Sequence, residues 1–304
     1  MITFVYAVLV FLVLRFSVTL FNFLSNPKLG YYGKHFTDKV SIIISLSDVN
    51  DDPTILITSI NAQDYADVEI IVKKIGETLE AATAKATGSF ILFLDVNALI
   101  NKGLINNIIC RAKVFNLDQL SVIPTRRFNS FISRLVYPIS DFVLLNLLPL
   151  RLVRLTRKQI FAATNTGCML FKASSYIKNE NDGSIGQLKA EVLLANRFIY
   201  IDEKVSFAKI SSQLLVTFGN NILAVFIYLL LVIAGPVVVL VNFEPVFLVL
   251  PVGLIFLSRI MISFLTAQNP IINVLLHPFQ MIMLLLLLLK GLWIKVLTSV
   301  KHKL

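Results

Sequence analysis

Apolar residues gather at the two ends of this chain and leave a more polar middle. Ile2 to Leu24 is nearly continuous apolar sequence, interrupted by Arg15, Ser17, Thr19 and Asn22. A bilayer-spanning helix needs about 20 such residues, so residues 1–25 are expected to form an uncleaved membrane anchor. A cleaved signal peptide would want a basic start, a shorter apolar run and a small-residue cleavage site. None is evident, and Arg15 stands inside the run. Three further apolar stretches follow near the other end, within residues 220–298: Asn221 to Phe243, Pro245 to Leu265 and Ile271 to Leu297. Pro236 and the pair His277-Pro278 predict a kink or break where they fall. Arg259 sits inside the second stretch. It faces protein, water or a headgroup, or else it snorkels to the membrane edge.

The middle has a different period. Val40 to Ser47 (VSIIISLS), Val68 to Val72 (VEIIV) and Ser89 to Leu94 (SFILFL) are short, β-branched or aromatic runs, as expected of buried parallel strands. Helical segments are expected between them, over Pro53 to Asn61 and over the Ala- and Glu-rich Gly76 to Thr87. Strand–helix alternation predicts a doubly wound, mostly parallel α/β domain over residues 38–210. Ligands of such sheets bind at the carboxyl ends of the strands, and Asp95 stands at one. Ser130 to Phe161 mixes long apolar runs with Arg134, Arg151, Arg154, Arg157 and Lys158. Residues near 130–160 are therefore expected to lie in a membrane interface, the alternative being a core helix with a solvated basic face.

Composition agrees with a membrane protein: 56% of residues are hydrophobic, 15% are charged, and the mean hydropathy is +0.79. Two cysteines exclude a disulfide framework, and three histidines leave little room for a histidine-rich metal site. The formal net charge of +10 points to an anionic bilayer surface and not to nucleic acid. Lysines and arginines concentrate between Lys28 and Lys209 and in the tail, so both are expected to be cytoplasmic. Three full crossings after a cytoplasmic domain would carry the basic tail outside; a half-crossing at the segment broken by His277-Pro278 would resolve this. No feature of the sequence sets an oligomeric state. There is no Walker loop, GxGxxG, HExxH or GxSxG motif.

Taken in order, these segments resemble the membrane-anchored family 2 glycosyltransferases, especially those with carotenoid or other lipid acceptors. VSIIISLSDVNDD lies where that family has VSIIIPARNEE. KATGSFILFLDVN lies at its A-x-G segment and the strand ending in D-x-D. FVLLNLLPLRLV and AATNTGCMLFKASSY resemble its membrane-facing and acceptor-side stretches, AEVLLANRF its E-D-V-x-L-A, and LLHPFQM its His-Pro motif. The resemblance implies a GT-A-like (Rossmann-like) domain between terminal membrane helices. It implies transfer of a sugar from a nucleotide-sugar donor to a lipid-like or polyprenoid acceptor.

It also implies roles for particular residues. Asp95 and Asn97 occupy the D-x-D positions, where carboxylates hold magnesium or manganese against the donor diphosphate. Asn97 brings a carbonyl oxygen but no charge, and Asp95 could instead cap the following turn. Ser45 and Asp48 fall on the donor-binding loop after the first strand, with Ser45 replacing a proline. Glu191 falls on the family's catalytic base, which takes a proton from the acceptor hydroxyl, while Ala190 replaces the preceding acid; Glu191 could equally be a surface residue on an amphipathic helix. Asn165 and Gly167 fall on the acceptor side, with Thr166 replacing a glycine. After VEIIV the family's acidic loop is absent, and Lys73 and Lys74 stand there, either to meet phosphate or as a solvated turn. With so many positions altered, a second reading stands beside the enzyme: a catalytically inactive relative acting as a binding or partner subunit. A small-solute transporter is disfavoured by the large α/β middle.

Overall fold

The structure is a computed structural model, and it describes residues 2–46, 48–155, 167–176, 188–202 and 205–301. The chain forms two compact units that alternate along the sequence. One comprises Met1–Asn26, Phe128–Pro149 and Lys204–Leu304; the other comprises Pro27–Arg127 and Leu150–Glu203.

The second unit is α/β. Its strands are β1 (Val40–Ser45), β2 (Val68–Lys73), β3 (Phe90–Asp95), β4 (Ala98–Ile100), β5 (Gln119–Ile123), β6 (Thr125–Arg126), β7 (Cys168–Lys172), β8 (Ala190–Leu194) and β9 (Ile199–Ile201). Among the described residues, six form a sheet in the order β2-β1-β3-β7-β5-β8, and three form a small sheet in the order β4-β9-β6. In the large sheet β2, β1 and β3 run parallel, as do β5 and β8; β7 runs antiparallel between β3 and β5. The sheet is thus mostly parallel, as the sequence implies.

The unbroken apolar character of β1 and β3 follows from burial on both faces. Ile42, Ile44, Leu92 and Leu94 belong to one cluster with α2 (Thr54–Asn61), through Leu56 and Ile60, and with a helix over Leu104–Phe115, through Leu104, Ile105 and Ile108. Ile43, Ile91 and Phe93 pack on the opposite face with Ala82 of α3 (Leu79–Thr83). The expected helix over Gly76 to Thr87 shrinks to α3. A turn leads in and Thr78 caps it, its hydroxyl accepting from the Ala81 amide. The Leu104–Phe115 helix is α4.

The first unit is helical: α1 (Ile2–Ser25), α5 (Phe131–Leu147), α7 (Phe207–Thr217), α8 (Ile222–Asn242), α9 (Pro245–Leu265), α10 (Pro270–Leu275) and α11 (His277–Lys301). A short α6 (Leu150–Val153) belongs to the α/β unit. Among the described residues, four helices are long and apolar enough to cross a membrane: α1, α8, α9 and α11 over His277–Lys295. The stretch 271–297 breaks at Leu276, and Pro278 occupies the first turn of α11, where a missing N–H costs least. The remainder, α11, is still long enough to span. A π-helical turn (Leu230–Ala234) lies inside α8, just before Gly235-Pro236. Leu14, Val246, Phe247 and Leu250 are among many exposed apolar residues, a surface suited to lipid.

Residues 130–160 do not act as one segment. Their first part, α5, packs with the apolar helices. Asn22 of α1 donates to the carbonyls of Leu145 and Leu148 at 2.9 and 2.8 Å, and Thr19 donates to Asn146 Oδ1 at 2.8 Å. Arg151 and Arg154 fall instead in the α/β unit. Arg157 and Lys158 lie outside the described residues.

Candidate functional site

The α/β sheet reverses direction of growth at β1: β2 lies on one side and β3 on the other. A crevice for ligand forms at the carboxyl ends of strands at such a switch point. There the register aligns three side chains in a row, Lys73 of β2, Ser45 of β1 and Asp95 of β3. Two further segments reach Asp95. Its backbone N–H donates to the Gly167 carbonyl at 3.1 Å, just before β7. Asn97 follows in the turn to β4, and pairing of β4 with β9 brings Asp202 alongside, its N–H 3.5 Å from the Asn97 carbonyl. Lys73 donates to the Glu77 carbonyl at 3.0 Å.

Of the residues singled out from sequence, the fold therefore gathers Ser45, Asp95, Asn97 and Gly167. Asp48 lies three residues beyond β1, exposed, in a turn where its Oδ1 accepts from the Asn50 amide and its N–H donates to Asp51. Asn165 lies outside the described residues. Asp202 had no local signal, because a long-range strand pairing delivers it.

Asp95 and Asn97 do not form a pair of cation ligands. Asp95 Oδ1 accepts from the Asn97 backbone N–H at 3.0 Å and from its side-chain amide at 3.2 Å. An amide turned nitrogen-first offers N–H where magnesium or manganese requires oxygen. Among the described residues, no three His, Cys, Asp or Glu side chains group as metal ligands. Among the described residues the donor set does not fit a protein-built divalent site.

Glu191 is placed elsewhere, and its position corrects the alternative of an exposed residue on an amphipathic helix. It lies on β8, a strand and not an amphipathic helix, and is 0% exposed. In register it follows Leu92, Leu170 and Leu120 across the sheet, so it is level with mid-β3. Three strand spacings of about 4.8 Å separate it from β3 by roughly 14 Å. Both its oxygens are taken: Arg111 Nε donates to Oε2 at 2.8 Å and Nη2 to Oε1 at 2.6 Å. Arg151 and Arg154 each approach Oε1 at 3.7 Å, and Arg111 also donates to the Tyr32 hydroxyl at 3.0 Å. The Phe115 ring lies against the guanidinium groups of Arg111 and Arg154. Burial pulls Arg111 down, but the hydrogen bonds and charge of Glu191 more than offset it and hold the guanidinium above its ordinary value. Arg151 is lowered, by burial first and then by Arg111. Glu191 thus stands in a buried cluster with three guanidiniums, away from the carboxyl end of β3.

No family model and no curated protein matches the chain. Solved structures resemble it at low identity. A mannosyltransferase from Pyrobaculum calidifontis, in complex with GDP-Man and Mn2+, is 13% identical, covering 90% of this chain and 99% of that one at a TM-score of 0.45. S. aureus TarS in complex with UDP-GlcNAc is 12% identical, over 74% of this chain and 81% of that one, at 0.38. Glucosyl-3-phosphoglycerate synthase from Mycobacterium tuberculosis, with Mn2+, UDP and phosphoglyceric acid, is 10% identical, over 63% and 86%, at 0.35.

Proposed function

We propose that this chain is a membrane glycosyltransferase that binds a nucleotide-sugar donor at the carboxyl ends of β1 and β3 and passes the sugar to a lipid-like acceptor. The observation that carries the reading is the convergence of Ser45, Lys73, Asp95 and Gly167 on the switch-point crevice. Lys73 supplies a cation beside the crevice, in the position where a diphosphate needs its charge offset. The apolar helices supply the bilayer in which such an acceptor resides, and the α/β unit faces the cytoplasm, where nucleotide sugars are held.

A second reading is favoured by one specific observation. Glu191, the base that the resemblance implies, is paired with Arg111, and a donor-binding subunit without turnover would need no base. Calorimetry of the full chain with a panel of nucleoside diphosphates, with and without manganese, tests both readings. Binding of one nucleotide, weakened at least tenfold by Lys73→Leu and little changed by chelation, is expected. Asn97→Asp would bring a second anionic oxygen and make that binding depend on manganese. Absence of nucleotide binding overturns both readings. Binding without sugar transfer to any lipid extract leaves the subunit.

A further inference from the structure

The helical unit contains a cavity of about 430 Å3, within the size range of small-molecule sites. Its wall is almost wholly apolar, with Val8 and Leu12 of α1, Leu231 of α8 and Ile255 of α9 among its residues. One charged side chain enters it, that of Arg15. Arg15 is 7% exposed and its Nε has no hydrogen-bond partner. Its guanidinium lies 5.8, 5.1 and 5.5 Å from the ring centres of Phe11, Phe142 and Tyr228. Arg259 also lies against the Phe142 ring, at 3.7 Å, and is 1% exposed. It donates from Nε to Nδ1 of the cavity residue His277 at 2.9 Å, while its Nη2 is without a partner.

Two arginines are thus buried among apolar helices, and no carboxylate lies within 4 Å of either among the described residues. The helical unit contains two acidic residues, Asp141 and Glu244. Asp141 accepts from Gln268 at 2.6 Å, and Glu244 stands exposed in the link between α8 and α9. A guanidinium stays protonated under any ordinary condition, and burying it unpaired is costly. Contacts with ring faces offset only part of such a cost. Neither arginine has a negative charge beside it among the described residues, and the space next to Arg15 is lined for one attached to hydrocarbon. Arg15 lies ten residues from the Ser25 end of α1, roughly 15 Å along the helix, so the head must be compact.

We infer that this cavity binds a single-chain amphiphile with a compact anionic head, a carboxylate or phosphate monoester, seated at Arg15, with Arg259 adding to the local positive charge and the chain along the apolar wall. The site belongs to the helical unit alone and does not depend on sugar transfer.

Native mass spectrometry of the delipidated full chain in detergent tests it, with palmitate, hexadecyl phosphate, hexadecanol and inorganic phosphate as probes. A one-to-one adduct with palmitate or hexadecyl phosphate is expected, and the tighter of the two identifies the head. Hexadecanol should bind at least tenfold more weakly, and inorganic phosphate should show no adduct. Arg15→Gln should weaken the anionic adduct at least tenfold. Leu12→Trp, which fills the cavity and leaves both arginines in place, should do the same. Hexadecanol binding as tightly as the anions, an equally strong phosphate adduct, an unchanged adduct in Arg15→Gln, or no adduct at all overturns the inference.

Discussion

Arg111 and Glu191 form a buried ion pair whose two members are 8% and 0% exposed at the side chain. Removing one partner of such a pair leaves an uncompensated charge, which costs about 3–5 kcal/mol, whereas replacing both with apolar groups is often neutral. Glu191→Leu, which leaves three guanidiniums without their carboxylate, is therefore expected to lower the thermal unfolding midpoint sharply, and by more than Arg111→Met, after which Arg151 and Arg154 still face Glu191. An unchanged midpoint in Glu191→Leu would show that the cluster does not hold the fold. A second carboxylate responds to pH. Glu69 is held below its ordinary value chiefly by the Ser41 hydroxyl, 2.7 Å away, and by the Thr87 amide. Its folded value lies below the unfolded one, so its contribution is present above the unfolded value and is lost as pH falls through the folded one. Ser41→Ala should make the loss of stability with acid shallower between about pH 6 and 3, measured as the unfolding midpoint against pH. At this scale Asp95 was legible, because a charged residue ending an apolar strand run marks a carboxyl end. Arg111 was not, since a lone arginine within a helix carries no mark of the strand that it will face. Asp202 was hidden for the same reason.

Glycine sets how closely two pairs of helices of the apolar unit approach. A Cβ at Gly235 of α8 would lie 2.7 Å from Val8 Cγ2 of α1, and one at Gly291 of α11 would lie 3.0 Å from Leu215 of α7. Gly235→Leu is expected to destabilise the helical unit by about 1–3 kcal/mol, the usual cost of overpacking, and Val8→Ala in the same chain should relieve part of it. Lack of relief would mean that α1 and α8 do not meet through these residues. The strands β1, β2 and β3 were legible because branched runs bounded by polar residues have no other good use. The helix expected over Gly76 to Thr87 was too long because composition carries no information about the turn at Gly76, where φ is +82°, or about the close approach at Gly88. A Cβ at Gly88 would lie 2.7 Å from the Ser41 amide nitrogen. The apolar run after Ser130 carried no sign of its division at Pro149, because hydropathy alone does not distinguish a helix packed on other helices from one beside a sheet.

For the whole molecule, the two native cysteines make a topology test clean. Cys110 and Cys168 are buried, and burial pushes the Cys168 thiol up to about 12. If the central unit is cytoplasmic, as proposed from its lysines and arginines, Val49→Cys in intact cells should resist an impermeant thiol reagent until the membrane is permeabilised. Glu244→Cys, in the link between α8 and α9, should react at once. The reverse pattern would invert the orientation. The alternation of the two units along the chain has a consequence for synthesis. Strand β7 inserts between β3 and β5, yet it leaves the ribosome after α5, which belongs with the apolar helices. A nascent chain that has reached residue 127 therefore holds β1–β3 and β5 with the strand that joins them still unmade. Its open edges are a hazard for mispairing until translation has moved past α5, so the α/β unit is completed after α5 has been made, and its final closure is timed by the elongating chain.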